Sequence, residues 1–514
     1  MQEVKAKYVP VALVVLFLVI VIRNAWVGDD AYITFRTVDN FVQGYGLTWN
    51  IAERVQAYTN PLWMFLVSAL YIFTGEAFFT SLVLSIALSV TTVFLFAVRG
   101  AQTTMMAVLG VLALTLSKAF VDYSTSGLEN PLTHLLLLLF LLVYFKHSEG
   151  KRSLGWLALL AALCAVNRLD TVLLTMPILA YRFWIDRSWK AFGVVILGFL
   201  PLIAWEIFSV LYYGFPFPNT AYAKLNTGIP LGDLIGQGIY YLWNSLAVNP
   251  LTVIVIVIGL ILPVVRHRRP ETVVAIGMLL YLIYVVRIGG CFMSGRLLAA
   301  PFLMALVVLA QGMINLPKNR QLVPLAAILL LGLGSPSSPV YTTASDACGS
   351  DKCEFGRGIT DERVFYFQTS SLLNIDPAKE MPAHRWAEWG RQLTKPVSGG
   401  VVIGYFGFFA PKTTYIVDKY ALADPLLARL PADVSDGWRI GHFERALPAG
   451  YGKTLATGTN AIEDPNLAKY YDNLSLIVRG PIFSKERMIA IVKVNLGFYD
   501  HLLEAYRVSS AAGK

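Results

Sequence analysis

Apolar runs long enough to cross, or nearly cross, a bilayer recur from the first residues to about residue 337, separated by short polar segments. They fall near residues 9–27, 77–98, 103–117, 131–145, 153–167, 171–185, 191–213, 249–265, 271–287, 297–314 and 322–337, and predict eleven membrane-spanning helices. A further run, PLWMFLVSALYIFT at residues 61–74, is as short as the weakest of these, so length does not classify it. Charge does. With the N-terminus cytoplasmic and residues 61–74 interfacial on the outer face, Lys5, Lys7, Arg99, Lys146, Lys151, Arg152, Arg182, Arg187, Lys190, Arg266, Arg268, Arg269, Lys318 and Arg320 all lie inside. Counting the run as a span would export most of them.

Beyond residue 337 the long apolar runs give way to Gly, Pro, Asp and short mixed segments such as VVIGYFGFFA and TTYIVDKYALAD, in which strand-like and helix-like stretches alternate. The expected fold class is an α-helical polytopic membrane protein over residues 1–337, followed by a soluble α/β domain at 338–514 large enough to bury its own core. At 56% hydrophobic and 15% charged residues, composition agrees with a membrane chain. The net charge of +9 sits mostly in short loops, which reads as topology and excludes a nucleic-acid groove. The first run lacks a small-residue cleavage site and reads as a retained anchor. Four cysteines are too few for a disulfide framework or a metal cluster. Cys348 and Cys353 bracket a short exported segment and are expected to pair, while Cys164 stays reduced within a span.

With this topology the unusual residues gather on the outer face. The stretch GDDAYITFR places Asp29 and Asp30 at the exit of the first span. Either could cap the helix that follows, whose Tyr32, Phe35, Val38 and Val42 form one apolar stripe, but a cap needs only one carboxylate. A pair can take a proton from an attacking hydroxyl, with the neighbour orienting that base, raising its pKa or holding a divalent ion. Asp39, later on the same helix, is expected to tolerate Asn.

Tyr58 and Asn60 suit sugar recognition, though the aromatics around them equally suit an interfacial belt. Glu129 precedes a helix-starting Pro131, where the helix dipole alone would favour it. Arg168 and Asp170 form either a local ion pair or a phosphate contact. Asn219, Tyr222 and Lys224 lie in the proline-preset loop YYGFPFPNTAYAK, and Arg296 follows the glycine-rich turn RIGGCFMSGR. Arg168, Lys224 and Arg296 are the candidate cations for a donor phosphate.

In this order, GDDAYITFR, GYGLTWN, ERVQAYTNPLW, TSGLENP, NRLD, YYGFPFPNTAYAK, GGCFMSGR, VDKYALADPLLARLP and RIGHFERALPAGY resemble the GT-C superfamily membrane arabinofuranosyltransferases, specifically the terminal β-(1→2) group and its wider bacterial relatives. The resemblance covers most of the chain. It implies a GT-C fold with a periplasmic C-terminal domain in the bacterial cytoplasmic (inner) membrane. It further implies transfer of D-arabinofuranose from decaprenyl-phospho-arabinofuranose, or a similar polyprenyl phosphate, to a cell-envelope glycan acceptor. The family's acidic pair falls on Asp29 and Asp30, and its motifs add Arg36, Asp418 and His442 to the substrate-binding set. Relatives usually carry an acid where this chain has Cys291, so that acid's role is not carried over. No cofactor is required, and a divalent cation at Asp29 and Asp30 stays open. So do two alternatives: another sugar delivered to pilin, protein or lipopolysaccharide, and a non-catalytic scaffold similar to a flagellar-motor control protein.

Overall fold

The computed structural model describes residues 2–146, 150–312, 322–341, 353–376, 378–400, 402–434 and 437–512, with side chains from residue 9 to 509. Lys318, Arg320, Cys348, residue 350 and the side chains of Lys5 and Lys7 lie outside the described residues.

The protein is helical, and each expected span falls on a helix or a broken pair. By length and composition two helices can cross a membrane unaided, Phe78–Gly100 and Arg269–Arg287. Two further pairs pass the same test of length and composition only when joined, as broken spans or re-entrant loops. Trp189–Gly198 and Leu200–Tyr212 bend by 56° and Leu231–Val248 and Pro250–Val265 by 115°. In the first, Pro201 follows the break and supplies no N–H to the preceding turn, which is the usual cause of such a kink. The other apolar helices are shorter, among them Thr104–Leu116, Asn130–Lys146 and Leu322–Leu333. Residues 61–74 form a helix, Pro61–Thr74, packed on Asp29–Val42. Leu231–Val248 was expected to be loop.

Asp29–Val42 carries the expected stripe of Tyr32, Phe35 and Val38, yet Arg36, Thr37, Asp39 and Asn40 on its other sides are buried as well. The cause is the C-terminal part of the chain, whose helix Tyr405–Phe409 packs on it. That part contains one two-stranded parallel sheet among the described residues, Val397–Gly400 beside Tyr415–Asp418, and is otherwise helical. Its apolar residues are shared with the rest of the molecule. Ile359, Tyr366, Tyr405 and Phe443 join the main interhelical core, while Val55, Phe215 and Ala223 enter a second core with Leu426, Leu474 and Ile491. Cys353 is disulfide-bonded, and Cys164 is free and buried.

Candidate active site

The helix Asp29–Val42 begins at Gly28, and neither carboxylate of its first turn makes a capping bond. Each has a different surrounding. Asp29 is buried and accepts the backbone N–H groups of Tyr405 at 2.7 Å and Gly404 at 3.2 Å, so its two oxygens are committed to the start of the short helix Tyr405–Phe409. Burial pushes its pKa up to about 7, with the charge of Asp30 adding to the effect and the two amides opposing it. The approach is close. A Cβ on Gly404 would stand 1.9 Å from the Asp29 carbonyl oxygen and 2.5 Å from its Cγ, so only glycine fits.

Asp30 is half-buried and, among the described residues, has no hydrogen bond or ion pair. Burial raises its pKa, Arg296, Lys224 and Arg439 lower it, and Glu129 raises it. These are the charges around an open carboxylate. Glu129 holds Arg296. It is buried, accepts from Arg168 at 3.0 Å, Arg296 at 3.1 Å and Asn60 at 2.9 Å, and is held at about 2 because those partners outweigh the burial that would raise it. Arg168 also forms a bidentate pair with Asp170 at 2.8 Å. Arg296 keeps its Nε buried and without a partner.

The turns expected to share one face therefore meet. Asp29, Asp30, Asn60, Glu129, Arg168, Asp170, Lys224 and Arg296 belong to one linked group, with His442 at its rim, where Lys224 and Arg439 act on its ring and hold it neutral, its pKa lowered by burial to about 3. Five other expected residues are placed elsewhere. Arg36 is fully buried over the Trp49 ring and donates to the Trp49 and Gly407 carbonyls. Tyr58 pairs with the Tyr213 hydroxyl at 2.8 Å. Asn219 donates to the carbonyls of Ala421, Leu422 and Asp424, and Asp418 accepts the amides of Tyr420 and Ala423 in a turn. Tyr222 lies under the Arg429 guanidinium, 4.6 Å from it. Asp39 is no spectator: it accepts from Gln43 at 2.6 Å and Tyr71 at 2.9 Å and pairs with Lys412.

The residues that sequence reading missed come from the tail. Gly404 and Tyr405 hold Asp29, Arg439 acts on Asp30, and Glu362 places a third buried carboxyl beside the pair. The charged run Asp361, Glu362, Arg363 at the start of a helix was the available signal for Glu362. Among the described residues no group of three or more His, Cys, Asp or Glu is arranged to hold a metal ion. Two small cavities lie elsewhere, one beside Lys118 and Asn249, the other beside Phe215 and Arg429.

The site is an open carboxylate among cations, in a helical protein with apolar helices long enough to cross a membrane. Comparison with known proteins gives the group. The chain is 29% identical over 520 residues, 83% of its length and 82% of the relative, to the terminal beta-(1->2)-arabinofuranosyltransferase of Mycobacterium tuberculosis. It is 27% identical over 518 residues, 81% of its length and 72% of the relative, to the protein of the same name from Corynebacterium glutamicum. No family model and no solved structure matches it. The chain resembles that group and stands with the glycosyltransferases.

Proposed function

We propose that this protein transfers D-arabinofuranose from a polyprenyl-phosphate donor to a cell-envelope glycan, with residues 1–337 as the membrane-embedded catalytic module and residues 338–514 facing the periplasm of the bacterial inner membrane. The observation that carries this reading is the contrast within the acidic pair. Asp29 is spent on backbone amides, while Asp30 is left open among Arg296, Lys224 and Arg439.

Asp30 takes the proton of the acceptor hydroxyl as that oxygen bonds to the anomeric carbon. The bond from that carbon to the phosphate oxygen breaks, and the polyprenyl phosphate leaves with the electron pair, its charge met by Arg296, Lys224 and Arg439. The donor carries its own activated bond, so the step uses no nucleotide and routes nothing through a metal. Exposed Phe217, Leu225 and Leu231 flank Lys224 in sequence and offer apolar surface for the lipid tail.

Contacts also support eleven spans. Asn60 touches Glu129, so an even number of crossings separates them. Three apolar helices lie between, and the short Pro61–Thr74 is the one to leave at the interface. Lys224 and Arg296 both act on Asp30, with Leu231–Val248, Pro250–Val265 and Arg269–Arg287 between them, so Leu231–Val248 runs along the surface, as its 115° bend suits. Asn24 donates to the Pro339 carbonyl at 2.9 Å, which returns the chain to the face where the first span ends.

Turnover of polyprenyl-phospho-arabinofuranose by the purified protein in lipid nanodiscs tests the assignment. Asp30→Asn should cost on the order of 100- to 10,000-fold in rate with donor binding retained. Asp29→Asn, which keeps one acceptor oxygen for the two amides, should cost less. Near wild-type turnover by Asp30→Asn would sink the assignment.

A further inference from the structure

We propose that Glu362 is a further substrate-binding group, a carboxylic acid that donates a hydrogen bond to a hydroxyl of the bound sugar. The proposal rests on the transferase reading above.

Glu362 opens the helix Glu362–Ser370, and the residues on either side of it are clamped. Asp361 pairs with Lys118 at 3.0 Å, and Arg363 pairs with Asp122 at 2.8 Å, all four side chains at most 8% exposed. Lys118 also pairs with Asp122, closing the network. This clasp fastens the tail to the membrane module on both sides of Glu362 without using it. Glu362 itself is 6% exposed and, among the described residues, has no hydrogen bond or ion pair. A carboxyl so placed is costly to bury and needs a partner that arrives from outside.

The neighbours decide what it can offer. Among the strongest influences on Glu362, Asp30, Asp29 and Asp361 repel a charge on it and Arg439 favours one. Arg439 already donates to the Gly358 carbonyl and the Thr360 hydroxyl. Tyr366, Tyr405 and Tyr123 also feel its charge. Burial and the charge of Asp30 push Glu362 up to about 8, so it carries its proton at neutral pH. Asp30, in its role as base, accepts a hydrogen bond. A protonated Glu362 beside it both donates and accepts, which is the complement a polyol needs.

The test compares wild type, Glu362→Gln and Glu362→Leu in nanodiscs. The amide keeps a donor and an acceptor in nearly the same shape; leucine keeps neither. Wild-type kcat/KM should fall as pH rises through about 8, Glu362→Gln should keep most of the activity and lose that decline, and Glu362→Leu should lose roughly tenfold or more, mainly through KM. A Glu362→Gln profile with the same alkaline decline, or unchanged KM in Glu362→Leu, overturns the proposal. An infrared titration supplies a readout without turnover. Wild type should show a protonated carboxyl band at neutral pH that is missing in Glu362→Gln and shifts on adding methyl arabinofuranoside. Absence of the band, or no shift with the sugar, overturns the proposal too. Wild type that fails to use the donor would instead sink the transferase reading, with the infrared result still deciding Glu362.

Discussion

Replacing Glu129 by Gln removes the charge that holds two arginines and, through them, sets the field at Asp30. The shape of the side chain is kept, so what changes is electrostatic. Glu129 sits at about 2 against an ordinary 4.5, a difference of about 2.5 units or about 3 kcal/mol favouring the folded protein at neutral pH. Because its folded pKa is depressed, this contribution is complete above the unfolded value and disappears as pH falls toward the folded one. By about pH 3 some 2 kcal/mol of it should be gone. Glu129→Gln should therefore unfold more easily than wild type at about pH 7, with the gap narrowing by roughly that amount at about pH 3, as read by denaturant unfolding in detergent. There is a second consequence at the site. Arg168 retains Asp170, but Arg296 loses Glu129, its carboxylate partner among the described residues, and is left with the pull of Asp30. A new Arg296–Asp30 contact would lower the pKa of Asp30 and weaken it as a base, so turnover should fall and its acid limb move to lower pH. A stability gap unchanged between about pH 7 and about pH 3, or a wild-type pH profile in the variant, would refute the reasoning.

Gly404→Ala should be as damaging as loss of Asp29 itself, because its new methyl would collide with the Asp29 backbone and carboxyl. Active protein with wild-type kinetics would show that the contact is dispensable. Cys291 is free, half-buried and among the groups acting on Lys224 and Arg296, so alkylating it should block turnover, and bound donor should slow the alkylation. Cys291→Ser should keep activity and resist the reagent; inhibition that persists in Cys291→Ser would place the sensitive group elsewhere.

The apolar helices, the acidic pair and the Glu129, Arg168 and Arg296 group were legible because each is a local signal: a run of apolar residues, adjacent carboxylates at its end, or a charge stranded in a turn between two runs. What each carboxylate touches was not. Asp29 and Asp30 are neighbours of the same type, and only the tail distinguishes them by giving its amides to one. Arg36 entered the binding set through the resemblance, and Asp39 looked idle because nothing near it in the sequence marks it. Both lie on a helix whose second face is covered by residues near 405–412, and no periodicity on the helix reports that cover. The tail was read as an independent α/β unit because its own segments alternate, whereas its apolar residues complete cores begun in the first loop and around Tyr213.

The bond between Asp29 and the start of Tyr405–Phe409 joins residues 375 and 376 positions apart. During synthesis Asp29 emerges with the first transmembrane helix, and its amide partners follow only after the rest of the membrane helices have been made. Until then the site lacks the groups that fix Asp29, together with Arg439 and Glu362. A nascent or truncated chain can thus enter the membrane with both aspartates in place and still be chemically silent. The site is complete only once the tail has docked.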